Sequence, residues 1–193
     1  METDARALAT RVIGESIEAQ QGLLGEPVLE QILKAAELVS ATLDGGGKVL
    51  LFGNGGSATD ASHIAAELLG RFQRERRALP ALALADNQST LTAIANDYGF
   101  DHVFARQLEG LGQAGDVAVA ISTSGGSSNV LAGARAARAL GLATIGLTGA
   151  EGCELVDAVD VAIAVPSTVT ARIQECHILI GHLLCELVEQ SLV

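Results

Sequence analysis

Lys48-Val-Leu-Leu-Phe-Gly53-Asn54-Gly55-Gly56-Ser57-Ala58 is the stretch that decides how this chain folds. Val49 to Phe52 form a short apolar run that reads as a buried strand, and the glycines behind it make a tight turn. A helical pattern carrying His63 and Glu67 follows. A strand, a glycine turn and a helix start bring backbone N–H groups to one point, where unsatisfied amides and the helix dipole favour an anion. One helical turn separates His63 from Glu67, so the two share a face behind that point. The stretch reads as a phosphate cradle with an acid/base or metal pair beside it. Two plainer readings stand next to it: a turn that simply needs glycine, and a solvated polar pair on a helix surface.

Outward from this stretch the chain alternates. Residues 4–24 read as a helix with Leu8, Val12, Ile13 and Ile17 on one face. A second helix starts at Pro27, carries Val28, Ile32, Ala35, Val39 and Leu43 as a stripe, and ends at Gly45-Gly-Gly47. After strand 49–52, helices are expected at 58–72, 89–96, 101–111, 128–140, 151–157 and 168–191. Strands are expected at 80–84, 116–121, 143–147 and 160–165. Repeated βα units with short apolar strands imply a parallel sheet covered on both faces. The expected fold is one α/β domain, a three-layer αβα sandwich around five parallel strands. Residues 46–193 form its core, and helices within 1–45 either cover the sheet or meet a partner subunit.

Composition narrows the partners. Aromatics are scarce among 193 residues, so Ala, Leu, Val and Ile must fill the core. A formal charge of −11 argues against nucleic acid or an anionic membrane as partner. No apolar run is long enough to span a bilayer, and the acidic start Met1-Glu-Thr-Asp4 does not read as a secretory leader. Cys153, Cys176 and Cys185 are odd in number and form no close ligand pair, so reduced thiols of a cytoplasmic protein are expected. Lysine occurs only at Lys34 and Lys48, so any phosphate is expected to be held by amides, hydroxyls or an arginine and not by a lysine cluster.

Ser122-Thr123-Ser124-Gly125-Gly126-Ser127 supplies those hydroxyls. Like the first loop it follows a strand and precedes a helix, and in a parallel sheet ligands bind at the carboxyl ends of strands where the strand order switches. The plainer reading is a helix cap by Ser127 or Ser124. Gly53 to Ala58 also matches G-x-G-x-x-A, the dinucleotide fingerprint, but two helices precede it and Asp86 comes late for a ribose contact. On the last helix Gln174, His177 and His182 interrupt apolar residues. Gln174 and His182 lie within about 80° of each other and about 12 Å apart along the axis, while His177 points away.

Together Gly53-Asn-Gly-Gly-Ser57, His63-x-x-x-Glu67, Ala95-Asn-Asp-Tyr98, Ile121-Ser-Thr-Ser-Gly125 and Arg172-Ile-Gln-Glu175 with His182 resemble the sugar isomerase (SIS) domain family, from about residue 6 to the end. The resemblance is narrower still to its members that isomerise sedoheptulose 7-phosphate to D-glycero-D-manno-heptose 7-phosphate for heptose biosynthesis. It implies a flavodoxin-like SIS fold and a homotetramer with active sites between subunits. It also implies phosphate binding by Ser57, Ser122, Thr123, Ser124 and Ser127, and a sugar site lined by Asn54, Gly55, Gly56, Asn96 and Asp97 with Glu67 and Gln174. His63, Glu67, Gln174 and His182 match the family's zinc ligands, one ion per subunit, with Glu67 and His182 doubling as the catalytic pair. An amide oxygen is a weak zinc ligand, which leaves room for partial occupancy or metal-free catalysis. Gly126 departs from the family's Ser-Gly-Asn-Ser, where an asparagine is usual.

Ketose–aldose isomerisation moves one proton between adjacent carbons through an enediol and another between their oxygens. Glu67 is the expected base and His182 the group that exchanges oxygen-bound protons. The chief rival is a non-catalytic SIS protein resembling those that bind a replication initiator. Other sugar-phosphate isomerases and sugar-phosphate-sensing domains form a third group, and a nicotinamide oxidoreductase is the weakest.

Overall fold

Val49–Gly53 (β1) is buried at every position, as an apolar run between two helical layers must be. In the computed structural model, which describes residues 2–149 and 153–192, β1 lies inside a five-stranded sheet. The other strands are Ala81–Ala83 (β2), Val117–Ile121 (β3), Ala143–Thr148 (β4) and Val161–Ala164 (β5). All pairs are parallel and the order is β2-β1-β3-β4-β5. The order therefore reverses between β1 and β3, the place where open parallel sheets leave a crevice at the carboxyl ends of the strands.

Helices α1 (Glu2–Gly22), α2 (Glu26–Asp44), α3 (Gly56–Leu69) and α8 (Thr170–Leu192) lie on one side. Their layer buries Ile32, Val39, Leu43, Ile64, Leu68, Ile180 and Val188 against Val49, Leu51 and Val119. On the other side α4 (Gln88–Tyr98), α5 (Ala105–Leu111), α6 (Ser128–Ala139) and α7 (Glu154–Ala158) cover Leu50, Phe52, Ala118 and Ala120. Successive residues of β1 thus feed opposite cores, the period-two alternation of a strand buried on both faces. The expected αβα sandwich and its five strands are observed.

Several boundaries differ. The helix expected to run to 72 stops at Leu69. Gly70 ends it, and the side chains of Arg76 and Glu189 hold the loop beyond in a non-helical course. The helix expected over 101–111 breaks into a 3-10 turn, Phe100–His102, and α5. The last helix begins at Thr170 rather than 168, and α4 runs two residues past Asn96. Of the helix expected over 151–157, residues 151 and 152 lie outside the described residues; α7 starts at Glu154.

The two N-terminal helices behave differently. The α2 stripe is buried as its periodicity requires, save Val28, which is partly covered. On α1, Leu8, Ile13 and Ile17 are each more than half exposed. Arg172 fastens α1 to the body, donating to the Val12 carbonyl at 3.0 Å and pairing with Glu15 and Glu175. Among the described residues no helix is long and apolar enough to cross a membrane. The three cysteines are free thiols.

Candidate active site

The parallel register pairs Gly53 with Ile121, so the loops after β1 and β3 leave the sheet side by side. Glycine is required where the first loop departs: a Cβ on Gly53 would lie 2.6 Å from the Ile121 carbonyl oxygen, and Gly55 has φ +56. Neither helix that follows is capped by a side chain. Gly55 precedes α3, and Ser127 precedes α6 without a capping hydrogen bond. The plainer reading of Ser127 as a cap is thereby set aside. Two helix starts with uncapped N–H groups converge on one crevice, which suits a tetrahedral anion.

Hydroxyls line the same crevice. Ser57 and Ser122 are almost wholly buried, and the Ser122 and Ser127 hydroxyls are 3.1 Å apart. The Gly125 N–H donates to Ser122 Oγ at 3.2 Å and the Gly126 N–H to Ser124 Oγ at 3.3 Å, which folds the second loop onto its own side chains. Thr123 is tied through its carbonyl, which accepts the Gly149 N–H at 3.2 Å. Lys48 is engaged elsewhere, with Asp116 at 2.6 Å before the start of β1. The loop end is therefore built from amides and hydroxyls.

Asn129, which the sequence reading passed over, joins the loops. Its side-chain amide and that of Asn54 form a reciprocal pair, each Nδ2 donating to the other's Oδ1 at 2.8 Å. Asn54 thus spends its amide on the second loop's helix. An asparagine in the first turn of a helix carries no spacing signal, and its partner lies 75 positions away.

Along α3, the side chain of Glu67 leans towards the helix N-terminus, as helical side chains do, and brings Oε1 to 3.2 Å from His63 Nε2. From α8, His182 Nε2 comes within 3.2 Å of the same His63 nitrogen. The ligand atoms of His63, Glu67 and His182 all lie within 4.8 Å of one another. An imidazole nitrogen carries at most one proton, so His63 Nε2 can serve both neighbours only by sharing a single N–H between them. A cation between the three would resolve this. Tetrahedral zinc bound at 2.0–2.1 Å separates its ligand atoms by about 3.3 Å, close to the two distances found here. The donor set of two imidazoles and a carboxylate, with a further position left open, fits a catalytic cation.

Gln174 stands apart from this cluster. Its amide lies over the first glycine loop, where a Cβ on Gly56 would be 2.4 Å from Nε2. Eight residues of α8, about 12 Å of rise, separate it from His182. Three of the four expected ligands thus meet, and the fourth lies at the loop end. Asn96 and Asp97 lie on α4, exposed and hydrogen-bonded to each other at 2.8 Å. His177 is fully buried, and burial lowers its pKa to about 4 against a smaller opposing pull from the Thr148 backbone. It belongs to the core. Asp86, read as a late ribose partner, is bonded to Ser62 instead.

The fold and the two serine- and glycine-built loops define an SIS domain. That family matches residues 15–149, and the chain belongs to it. A phosphoheptose isomerase of Roseiflexus sp. is 54% identical over 186 residues, 95% of this chain and 94% of its own length. The solved phosphoheptose isomerase of Neisseria gonorrhoeae superposes with a TM-score of 0.85 at 43% identity, over 98% of each chain. That of Francisella tularensis gives 0.90 at 38% identity, over 96% of this chain and 98% of its own. Within the SIS domains the chain belongs with the phosphoheptose isomerases.

Proposed function

We propose that this chain is a sugar-phosphate isomerase that converts sedoheptulose 7-phosphate to D-glycero-D-manno-heptose 7-phosphate, a step of heptose biosynthesis. The observation that carries the reading is the meeting of His63, Glu67 and His182, from two helices, beside a lysine-free anion crevice. A scaffold that works by protein contact has no need of that trio, and the relatives described above bear the isomerase name.

The phosphate is held by Ser57, Ser122, Thr123, Ser124 and Ser127 with the helix-start amides, and Asn54, Gly55, Gly56, Gln174, Asn96 and Asp97 line the sugar. Six residues of α3 separate Ser57 from His63, a rise of about 9 Å. The phosphorus of an extended heptulose 7-phosphate stands a comparable distance from C2, about 9 Å with bonds near 1.5 Å. Phosphate binding therefore supplies remote energy that sets the reacting carbons at the trio. Glu67 removes the C1 proton and returns it at C2. His182 moves the proton between the two oxygens, as general acid and then base. Zinc, were it held by His63, Glu67 and His182, would polarise the carbonyl, and Glu67 and His182 would then move protons through the atoms not bound to it.

The working form is a homotetramer. The exposed apolar side of α1, the absence of any buried residue on α4, and the half-exposed His63 all support further coverage by neighbouring copies. The cytoplasm, where free thiols persist, is the proposed compartment. Incubating the purified protein with ketose phosphates of five, six and seven carbons, with and without chelator, tests the whole reading. Turnover should favour the seven-carbon substrate; equal turnover of a pentulose phosphate, or none of any sugar phosphate, would reject it.

A further inference from the structure

His182 is held between two rings. The Phe72 ring stacks on its imidazole, centroids 5.4 Å apart and planes 24° from parallel, while His63 meets it edge-on at 5.1 Å. Phe72 belongs to the loop after α3, a segment without strand or helix of its own. Its backbone is fixed from α8. The Glu189 carboxylate, 1% exposed, accepts the N–H groups of Phe72, Gln73 and Arg74, each at 2.9 Å, and pairs with Arg76 Nε at 3.1 Å. Burial opposes ionisation of Glu189, yet those three N–H donors and Arg76 hold its pKa below the usual range.

Arg76 in turn closes the end of α3. It donates to the carbonyls of Glu67 at 2.8 Å, Leu68 at 2.9 Å and Gly70 at 3.0 Å, groups that a helix terminus leaves unsatisfied. One buried carboxylate–guanidinium pair thus fixes both the helical turn that carries Glu67 and the ring that lies on His182. The χ2 torsion of histidine is intrinsically broad, so packing on the ring face adds to the contact at Nε2 in holding the His182 plane.

We propose that Phe72, anchored by Glu189 and Arg76, is a positioning residue that fixes the plane of the His182 imidazole for proton transfer, a role that rests on the isomerase reading above. The Phe72 ring lies on the His182 imidazole, and it acts through that ring. Removing the flat ring while keeping apolar bulk should therefore slow the chemical step and leave phosphate binding alone.

Phe72→Leu tests this in the full-length protein with sedoheptulose 7-phosphate. It should lower kcat at least about tenfold with KM within about twofold of wild type, because misorientation costs rate rather than uniform binding. Phe72→Tyr, which restores the flat ring, should recover most of that loss. Proton NMR supplies a readout apart from activity: the ring protons of His182 should lose the ring-current shift of Phe72 in the leucine variant and regain it in the tyrosine variant. Wild-type kcat in Phe72→Leu, or a loss that Phe72→Tyr does not recover, would overturn the proposal. No turnover by wild-type protein would reject the isomerase reading instead, and His182 shifts unchanged in Phe72→Leu would then overturn the positioning role on their own.

Discussion

At the loop end of the site, Ser57 and Ser122 are almost wholly buried and the backbone itself presents the donors, whereas at the helix end His63 is about half exposed and everything depends on side chains. The loop end is assembled from two short stretches whose geometry follows from strand, glycine and helix start. The helix end joins positions 119 residues apart, 63 and 182, and keeps them in place through Phe72, Arg76 and Glu189. Binding of a phosphate tolerates a backbone solution because the ligand is a symmetric anion. Proton transfer needs particular atoms at particular angles, and so demands side chains with a supporting shell.

The sharpest way to separate the two ends is Glu67→Gln. The change is nearly isosteric, so the fold should survive, but the amide cannot take a proton from carbon. We expect kcat to fall by about a thousandfold or more with sugar-phosphate binding retained. Steady-state rates and calorimetric binding on the same preparation check both halves. Loss of binding equal to the loss of rate would mean that the two ends are not distinct.

Asn129→Ala attacks the loop end and should show the opposite pattern. It removes two partly buried hydrogen bonds and leaves the Asn54 amide partly unsatisfied, a cost of about 1–3 kcal/mol. We expect KM for the sugar phosphate to rise about tenfold while kcat changes far less. A kcat-only effect would show that the Asn54–Asn129 pair serves the reacting carbons instead of the phosphate.

His177, buried in the core and assigned no part in binding or chemistry, offers a control for both ends. Its folded pKa of about 4 lies below the ordinary value of 6.5, so the unfolded chain binds the extra proton between those values. Its contribution to stability is therefore complete above about pH 6.5 and is lost as pH falls through about 4. Denaturant melts of wild type and His177→Leu from pH 7 to 4 should diverge by on the order of 2–3 kcal/mol, wild type losing more. Parallel curves would contradict the burial of a neutral ring. The smallest effect belongs to Gly126→Asn. A Cβ there meets nothing within 4 Å and the backbone has no positive φ, so stability should change by less than about 0.5 kcal/mol. The asparagine that the family resemblance implies at this position is then an addition to the loop and not a structural need, which thermal melts and KM together would show.

The same contrast explains what could be read from the chain alone. Val49–Gly53 and Val117–Ile121 announce themselves because buried strands are unbroken apolar runs, and the loops after them are marked by Gly55, Gly56, Gly125 and clustered serines. That the two loops are neighbours follows from the strand order, which the structure supplies. His63 and Glu67 were visible as an i, i+4 pair, and His182 as a polar break in an apolar helix. Asn129 and Phe72 were not visible. The first looks like any residue in a helix's first turn. The second falls where helical periodicity runs on from α3, and Gly70, Arg76 and Glu189, the last 117 positions away, make that segment a loop. Arg172, read within a site motif, turned out to dock α1 through the Val12 carbonyl. Long-range polar contacts of this kind leave no period in a sequence.

Solvent deuterium incorporation tests the central chemistry most directly. With sedoheptulose 7-phosphate in D2O, followed by NMR, the wild-type protein should exchange the C1 proton of the ketose and place deuterium at C2 of the aldose. Glu67→Gln should do neither while still binding the sugar phosphate. Deuterium entering at the wild-type rate in that variant would contradict Glu67 as the base that faces the reacting carbons.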